Sequence, residues 1–148
     1  MHYDATTRTV SLRHVYHIPV AKNSGLPAGL AKIQDALAGI VSSRDTKIFI
    51  RERVFAGHYA DADRLFRVAG MADVTLWQIR QEVFYEYSAS SIKKEVAGHG
   101  TASKEQVANA LPRYVGEHKY ATDDESDAVA VGITFLKKEG YIDDISDD

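Results

Sequence analysis

The sequence predicts an α/β fold in which helices cover the faces of a β-sheet. Short segments rich in β-branched and aromatic residues alternate with segments whose apolar residues recur at helical spacing. At 148 residues, 45% hydrophobic and 26% charged, the chain has the size and composition of one domain with a normal core. We therefore expect a single domain over residues 1–148, with a short acidic C-terminal tail at about 139–148.

The first half of the chain alternates between strands and helices. Residues 10–20 predict a strand that follows a polar turn at 4–7, and residues 47–54 predict a second, short strand. Helical spacing of apolar residues predicts a helix over 28–40. A long helix over 63–81 begins at Asp61 or Asp63 as N-cap, and its apolar stripe consists of Leu65, Val68, Ala69, Ala72, Leu76 and Ile79.

The second half predicts one more strand, over 83–87, followed by helices. A helix over 91–97 leads into the turn at 98–101. The next helix runs over 103–114, with Ser103 and Gln106 placed for a capping box. The last helix is predicted over 124–138. Its small residues Ala128, Ala130 and Gly132 favour close packing against a sheet.

Composition excludes several classes of protein. The absence of cysteine excludes a disulfide framework and thiolate metal sites, and it fits a reducing compartment. No apolar run approaches about 18 residues, and the N-terminus has no pattern of a signal peptide. We expect a soluble, cytoplasmic protein with no membrane partner.

Charge is unevenly distributed along the chain. Residues 121–148 hold nine acidic side chains against Lys137 and Lys138, which gives −7 within a total of −3. Residues 1–120 therefore carry 16 basic and 12 acidic side chains. A mildly basic body with an acidic tail is compatible with a surface that binds phosphate, although ordinary soluble domains often share this pattern.

Two groups of acidic residues occupy positions that suit a divalent metal ion. Glu52 ends a predicted strand, and Asp124 and Asp127 share one face at the start of the last helix. Hard oxygen ligands of this kind hold Mg²⁺, and two such ions about 3.5–4 Å apart assist phosphodiester cleavage. The alternatives are a surface ion pair of Glu52 with Arg51 or Arg53, and aspartates that only cap a helix.

From Ile48 to about Leu136 the chain resembles the RuvC Holliday-junction resolvases. The resemblance covers roughly ninety residues, in order and at similar spacing. It is carried by Glu52-Arg53-Val54-Phe55, Tyr85-Glu86-Tyr87, Ile92-Lys93, Val96-Ala97-Gly98-His99-Gly100, Lys104-Glu105-Gln106-Val107 and the closing motif Asp124 to Ala128.

The resemblance implies an RNase H-like mixed sheet with helices on both faces. It also implies a crossover junction endodeoxyribonuclease of DNA recombination and repair, which resolves Holliday junctions or other branched DNA. The cofactor of such an enzyme would be Mg²⁺, with Mn²⁺ as a substitute. A homodimer is implied as well, and the helix over 63–81 with Gly70 is the expected dimer element.

The resemblance assigns roles residue by residue. Glu52, Asp124 and Asp127 become metal ligands, and Lys93 and Lys104 become contacts to DNA phosphate. Lys104 is also placed to stabilise developing charge, which makes it a fourth candidate catalytic residue. For Lys93 the alternative is a solvated helix face.

Two further residues are candidates for DNA contact. Phe55 would stack on or wedge against bases at the junction, with a plain core side chain as the alternative. His99 lies between two glycines, where the backbone can approach a ligand closely, with a simple turn residue as the alternative.

The chain departs from the family at its start. The family begins with a strand that carries a ligand Asp in a Gly-Ile-Asp-Pro motif, whereas this chain opens Met1-His2-Tyr3-Asp4-Ala5, and we expect that N-terminal strand to be missing from it. We expect the 148 residues to cleave junctions poorly in Mg²⁺, and an upstream strand with an Asp to restore cleavage. The alternatives are a junction-binding module of the same fold and an RNase H-like nuclease of the YqgF type.

Overall fold

The computed structural model describes residues 1–21, 23–55 and 62–143. Its elements follow the order of strands and helices expected for the predicted α/β class. In chain order they are β1 (His2–Asp4), β2 (Thr9–Ser11), α1 (Leu26–Ser42), β3 (Ile50–Glu52), α2 (Ala62–Arg80), β4 (Tyr85–Tyr87), α3 (Ala89–Ala97), α4 (Lys104–Ala110), α5 (Pro112–Val115) and α6 (Asp123–Lys138).

The strands of the described residues form two small sheets. β1 and β2 pair antiparallel, with Tyr3 opposite Val10, and β3 pairs with β4. The α/β class is confirmed, but the strands are three residues long and are not joined into one larger sheet. No helix among these residues combines the length and apolar character needed to cross a membrane.

The chain forms two compact units, each with its own apolar core. Unit 1 contains Met1–His17, Ile50–Glu52 and Tyr87–Asp148, and unit 2 contains Ile18–Phe49 and Arg53–Glu86. The predicted single domain and acidic tail remain predictions.

Unit 1 is built around α3, α4 and α6. Leu111 and Ile133 are fully buried, and residues of β2 and β3, among them Val10 and Ile50, pack against the same core. Burying each large aliphatic side chain contributes about 1.5–3 kcal/mol. A Cβ at Gly132 would lie 2.8 Å from Met1 Cε, so the predicted close approach to α6 is made by the first residue of the chain.

Unit 2 consists mainly of α1 packed against α2. Val41, Phe49 and Leu76 form its buried core. The guanidinium of Arg80 lies 5.5 Å from the centre of the Phe49 ring and donates to the carbonyl oxygens of Val41 and Ser43, at 3.4 and 3.1 Å. These contacts tie the end of α2 to the end of α1.

Two sequence predictions about element length were wrong. The strand predicted over 10–20 ends at Ser11, which pairs with His2 of β1. The helix predicted over 103–114 is divided into α4 and α5 at Pro112. Proline has no backbone N–H and its ring clashes with the preceding helical turn, so it begins a new helix instead of continuing the old one.

The apolar stripe predicted on α2 is largely internal. Leu76 is fully buried, and Val68, Ala69 and Ala72 are half-buried. A Cβ at Gly70 would meet no atom within 4 Å, so this glycine makes no close contact within the chain. Leu65 and Ile79, at the two ends of the predicted stripe, are exposed, and so are Phe66, Val74 and Trp77, which lie outside it.

Candidate functional site

Glu52 is positioned by the core of unit 1. It is the last residue of β3, and Ile50 two residues earlier packs against that core. Arg53, one of the two predicted ion-pair partners of Glu52, lies with its Nε 3.8 Å from the Glu86 carboxylate instead.

The start of α6 presents four acidic side chains in little more than one turn. Asp123, Asp124 and Glu125 occupy the first turn, and Asp127 follows. The carboxylate of Glu125 accepts a hydrogen bond from the Ala121 backbone N–H at 2.7 Å, which fixes the entry into the helix. Negative charge is favoured here by the helix dipole. Asp124 is exposed, whereas Asp127 is half-buried.

Lys104 reaches from the start of α4 to Asp127. The predicted capping box is confirmed, with Ser103 and Gln106 exchanging hydrogen bonds around the first turn of α4. Lys104 Nζ donates to Asp127 Oδ2 at 3.2 Å. This hydrogen bond first, and then the charge of Asp127, raise the pKa of Lys104, with smaller contributions from Asp123 and Asp124.

Glu52 faces the same group of charges. Burial of its carboxyl group raises the pKa of Glu52 above the usual 4.5, even though the residue as a whole is exposed, and the charge of Asp127 raises it further. The positive charges of Lys104 and Lys93 oppose this shift. Glu52, Asp127, Lys104 and Lys93 therefore form one electrostatic group, which we call the acid–lysine cluster.

Three predicted ligands do not meet at one point. In residues 1–21, 23–55 and 62–143, no three acidic or histidine side chains are grouped as a metal site would require. The acid–lysine cluster brings together Glu52 and Asp127, while Asp124 acts on Lys104. A hard divalent cation fits the two carboxylates, because it would relieve the repulsion that raises the pKa of Glu52.

The glycines around His99 have structural roles. Gly98 ends α3 in the left-handed region at φ 86°, where a side chain is unfavourable. A Cβ at Gly100 would lie 3.2 Å from the Ser90 carbonyl oxygen. His99 itself is exposed, and its Nδ1 lies 3.3 Å from Thr101 Oγ1. These features account for the turn, and the DNA contact of His99 remains a prediction.

Phe55 is not a core side chain. It lies in unit 2 and is 81% exposed, so the core alternative is wrong. An exposed ring is available for stacking, and that role remains a prediction.

Sequence reasoning missed two features beside the acidic helix. Asp123 contributes to the electrostatics of Lys104, a role that its place in the first turn of α6 signals only weakly. The hydroxyl oxygens of Tyr120 and Thr122 are buried without a hydrogen-bond partner among the described residues. Thr122 is the N-cap residue of α6, yet its hydroxyl makes no capping bond.

Replacing Glu52 by Gln should stabilise the fold at neutral pH. Because its folded pKa is raised, the folded state holds more protons than the unfolded state from pH 4.5 up to that value. Stability is therefore lost as pH rises through this window. Removing the charge should raise the melting temperature at neutral pH and flatten its pH dependence. An equal or lower melting temperature in Glu52→Gln would contradict this electrostatic assignment.

Comparison with known proteins shows the family of this chain. Residues 4–135 match the family model described as "Crossover junction endodeoxyribonuclease RuvC". The chain belongs to the RuvC family. The RuvC of Xylella fastidiosa (strain 9a5c) is 30% identical over 125 residues, which cover 82% of this chain and 72% of that protein. The RuvC of Nitrosomonas eutropha is 32% identical, and the match covers 77% of this chain but only 64% of the relative, less than two thirds of its length.

Solved RuvC structures share the fold. The structure of Thermus thermophilus RuvC matches 89% of this chain and 80% of that chain, with a TM-score of 0.73 at 18% sequence identity. The same protein in complex with a Holliday junction substrate matches 86% of this chain and 78% of that chain, with a TM-score of 0.69 at 21% identity. The predicted RNase H-like class of the RuvC proteins is thereby confirmed.

Proposed function

We propose that this chain is an endodeoxyribonuclease that binds Holliday junctions or other branched DNA and hydrolyses phosphodiester bonds with a divalent cation, Mg²⁺ or its substitute Mn²⁺. The observation that carries the proposal is the acid–lysine cluster, in which Glu52 at a strand end and Asp127 at a helix start act on each other, Lys104 binds Asp127, and the charges of Lys104 and Lys93 act on Glu52. The RuvC relatives are named for crossover junction cleavage, and the Thermus thermophilus protein binds a Holliday junction.

The acidic side chains have different roles in holding the cation. Glu52 and Asp127 would be its ligands, with exposed Asp124 at the edge of the site. Such a cation supplies a water activated for attack and neutralises charge on the phosphate. Burial and the charge of Asp127 raise the pKa of Glu52, so its carboxyl group holds a proton more readily than an isolated glutamate does until a cation neutralises the charge.

The lysines position the substrate. Lys104 holds Asp127 through its hydrogen bond, and its ammonium adds positive charge beside the carboxylates. Lys93 lies on α3, half-buried, and its charge also acts on Glu52. A DNA phosphate at this site would meet both ammonium groups, which places the scissile bond next to the carboxylates.

The proposal predicts that Lys93→Gln weakens binding to a four-way junction. The loss of one phosphate contact should reduce the slope of log K against log salt by about 0.9. Lys94→Gln is the matched control, since Lys94 is its exposed neighbour on α3 and acts on none of the cluster's carboxylates through a described contact. Equal salt slopes for the two variants, measured by fluorescence anisotropy, would count against a phosphate contact at Lys93.

A junction-binding module that does not cut is the second candidate. It is favoured by the grouping of two carboxylates, with no third acidic side chain completing a metal site among the described residues. Cleavage of a labelled junction in Mg²⁺ separates the two candidates.

A homodimer is part of the proposal. The exposed apolar side chains Phe66, Val74 and Trp77 on α2 support it, since they recur along one side of the helix at 47–56% exposure. Sedimentation velocity over a range of concentrations measures whether two copies associate.

A further inference from the structure

An exposed segment follows β2 in unit 1. Its side chains Arg13, His14, Tyr16 and His17 are exposed, while Val15 between them packs against the core of the unit. One half-buried side chain, Val15, thus anchors a segment of five residues whose other four side chains are exposed. We call residues 13–17 the Tyr16 segment.

Tyr16 forms a supported aromatic platform. The rings of His14 and Tyr16 are stacked, with centroids 5.9 Å apart and planes only 3° from parallel. Tyr16 is nevertheless 65% exposed. One side of the ring is therefore held by His14 and the ring remains accessible to solvent, which is the condition needed to stack on a further planar group.

The platform lies beside a positive charge and hydrogen-bond donors. Arg13 is exposed and its guanidinium is permanently charged, while the exposed rings of His14 and His17 carry N–H donors. No carboxylate partner of Arg13, His14 or His17 lies within the described ranges. An exposed aromatic ring beside an arginine matches a nucleic-acid strand, whose bases stack and whose phosphates carry the opposite charge.

We propose that the Tyr16 segment is a second DNA contact, in which Tyr16 stacks on an unpaired base and Arg13, with the two histidines, binds the adjoining phosphates. The choice of DNA as the ligand rests on the proposed function. The contact itself is supported by the exposed Tyr16 ring and the exposed Arg13 side chain, and it involves none of the residues of the acid–lysine cluster.

The test uses the full chain and a labelled single-stranded oligothymidine in EDTA, with fluorescence anisotropy as the readout. Tyr16→Ala should weaken binding about tenfold, because base stacking is lost. Tyr16→Phe should keep the affinity of the unchanged protein, because its ring can still stack. Arg13→Gln should reduce the salt slope by about 0.7, the value for one phosphate of a single strand. Tyr85→Ala and Arg67→Gln are controls that change an exposed tyrosine and an exposed arginine elsewhere.

Three results would overturn the inference: no binding of oligothymidine, equal affinities for Tyr16→Ala and the unchanged protein, or a loss with Arg13→Gln alone. A loss with Arg13→Gln alone would mean that Arg13 binds phosphate and that Tyr16 does not stack on a base. Failure of the proposed function would give a different result. If the chain neither prefers nor cuts junctions but binds oligothymidine through Tyr16, the nuclease assignment is wrong and this contact stands. If the chain cuts junctions and Tyr16→Ala does not change oligothymidine binding, the nuclease assignment stands and this contact is wrong.

Discussion

Replacing Asp127 by Asn is expected to abolish the response of this protein to Mg²⁺. The amide keeps the shape of the side chain but removes the charge that acts on Glu52 and the acceptor that holds Lys104. The unchanged protein should gain about 2.7 kcal/mol in stability at a Mg²⁺ concentration a hundred times its Kd, and the variant should gain almost none. Junction cleavage, at whatever rate the chain supports, should fall roughly 10²-fold or more, since several kcal/mol of charge stabilisation are lost.

Asp35→Asn is the matched control for this experiment. Asp35 is an exposed acid on α1, in unit 2, whereas the acid–lysine cluster lies in unit 1. Its replacement should leave both the Mg²⁺-dependent melting temperature and the cleavage rate unchanged. If Asp127→Asn kept the full thermal shift with Mg²⁺, the cation would have to be held by other residues.

Phe55→Ala is expected to weaken junction binding without destabilising the fold. Because the ring is 81% exposed, its removal leaves no cavity. A lost base stack is worth about 1–3 kcal/mol, which corresponds to roughly a 5- to 150-fold change in Kd. Binding is measured by fluorescence anisotropy, and stability by thermal melting.

Phe49→Ala provides the contrast, because Phe49 is buried in unit 2 against Phe84 and Arg80. That change should cost about 3–5 kcal/mol of stability. A drop of similar size in Phe55→Ala, or unchanged junction affinity, would remove the stacking role from Phe55.

The helices were largely predictable because their signals are local. Periodic apolar residues placed α1, α2 and α6 within about two residues of their observed ends, and the Ser103–Gln106 capping box marked the start of α4. Strand lengths were not predictable in this way. β2 ends where its partner ends, and pairing depends on residues distant in sequence.

The residues of the candidate site were predicted from the sequence, but which of them the fold brings together was not. Sequence reasoning selected Glu52, Asp127, Lys93 and Lys104, which the fold brings into one electrostatic group. It did not separate Asp127 from Asp124, because both lie on one face of the same helix turn. In the structure Lys104 reaches Asp127 from α4, and this contact between residues 23 positions apart follows from packing and not from spacing.

The Tyr16 segment shows the opposite case. The sequence predicted a strand there, in which alternate side chains would point toward a core. Because the strand stops at Ser11, four of the next polar and aromatic side chains are exposed, and their stacking became visible only in three dimensions.

The most direct test of the account is the affinity of the unchanged chain for a four-way junction, relative to a linear duplex of the same sequence, in EDTA. The proposed mechanism allows no cleavage without a cation, so the comparison isolates recognition by the lysines and exposed rings from the chemistry. We predict that the junction binds at least about tenfold more tightly, a difference of about 1.4 kcal/mol, and that both affinities fall as salt rises. Equal affinity for the two DNAs would contradict the account.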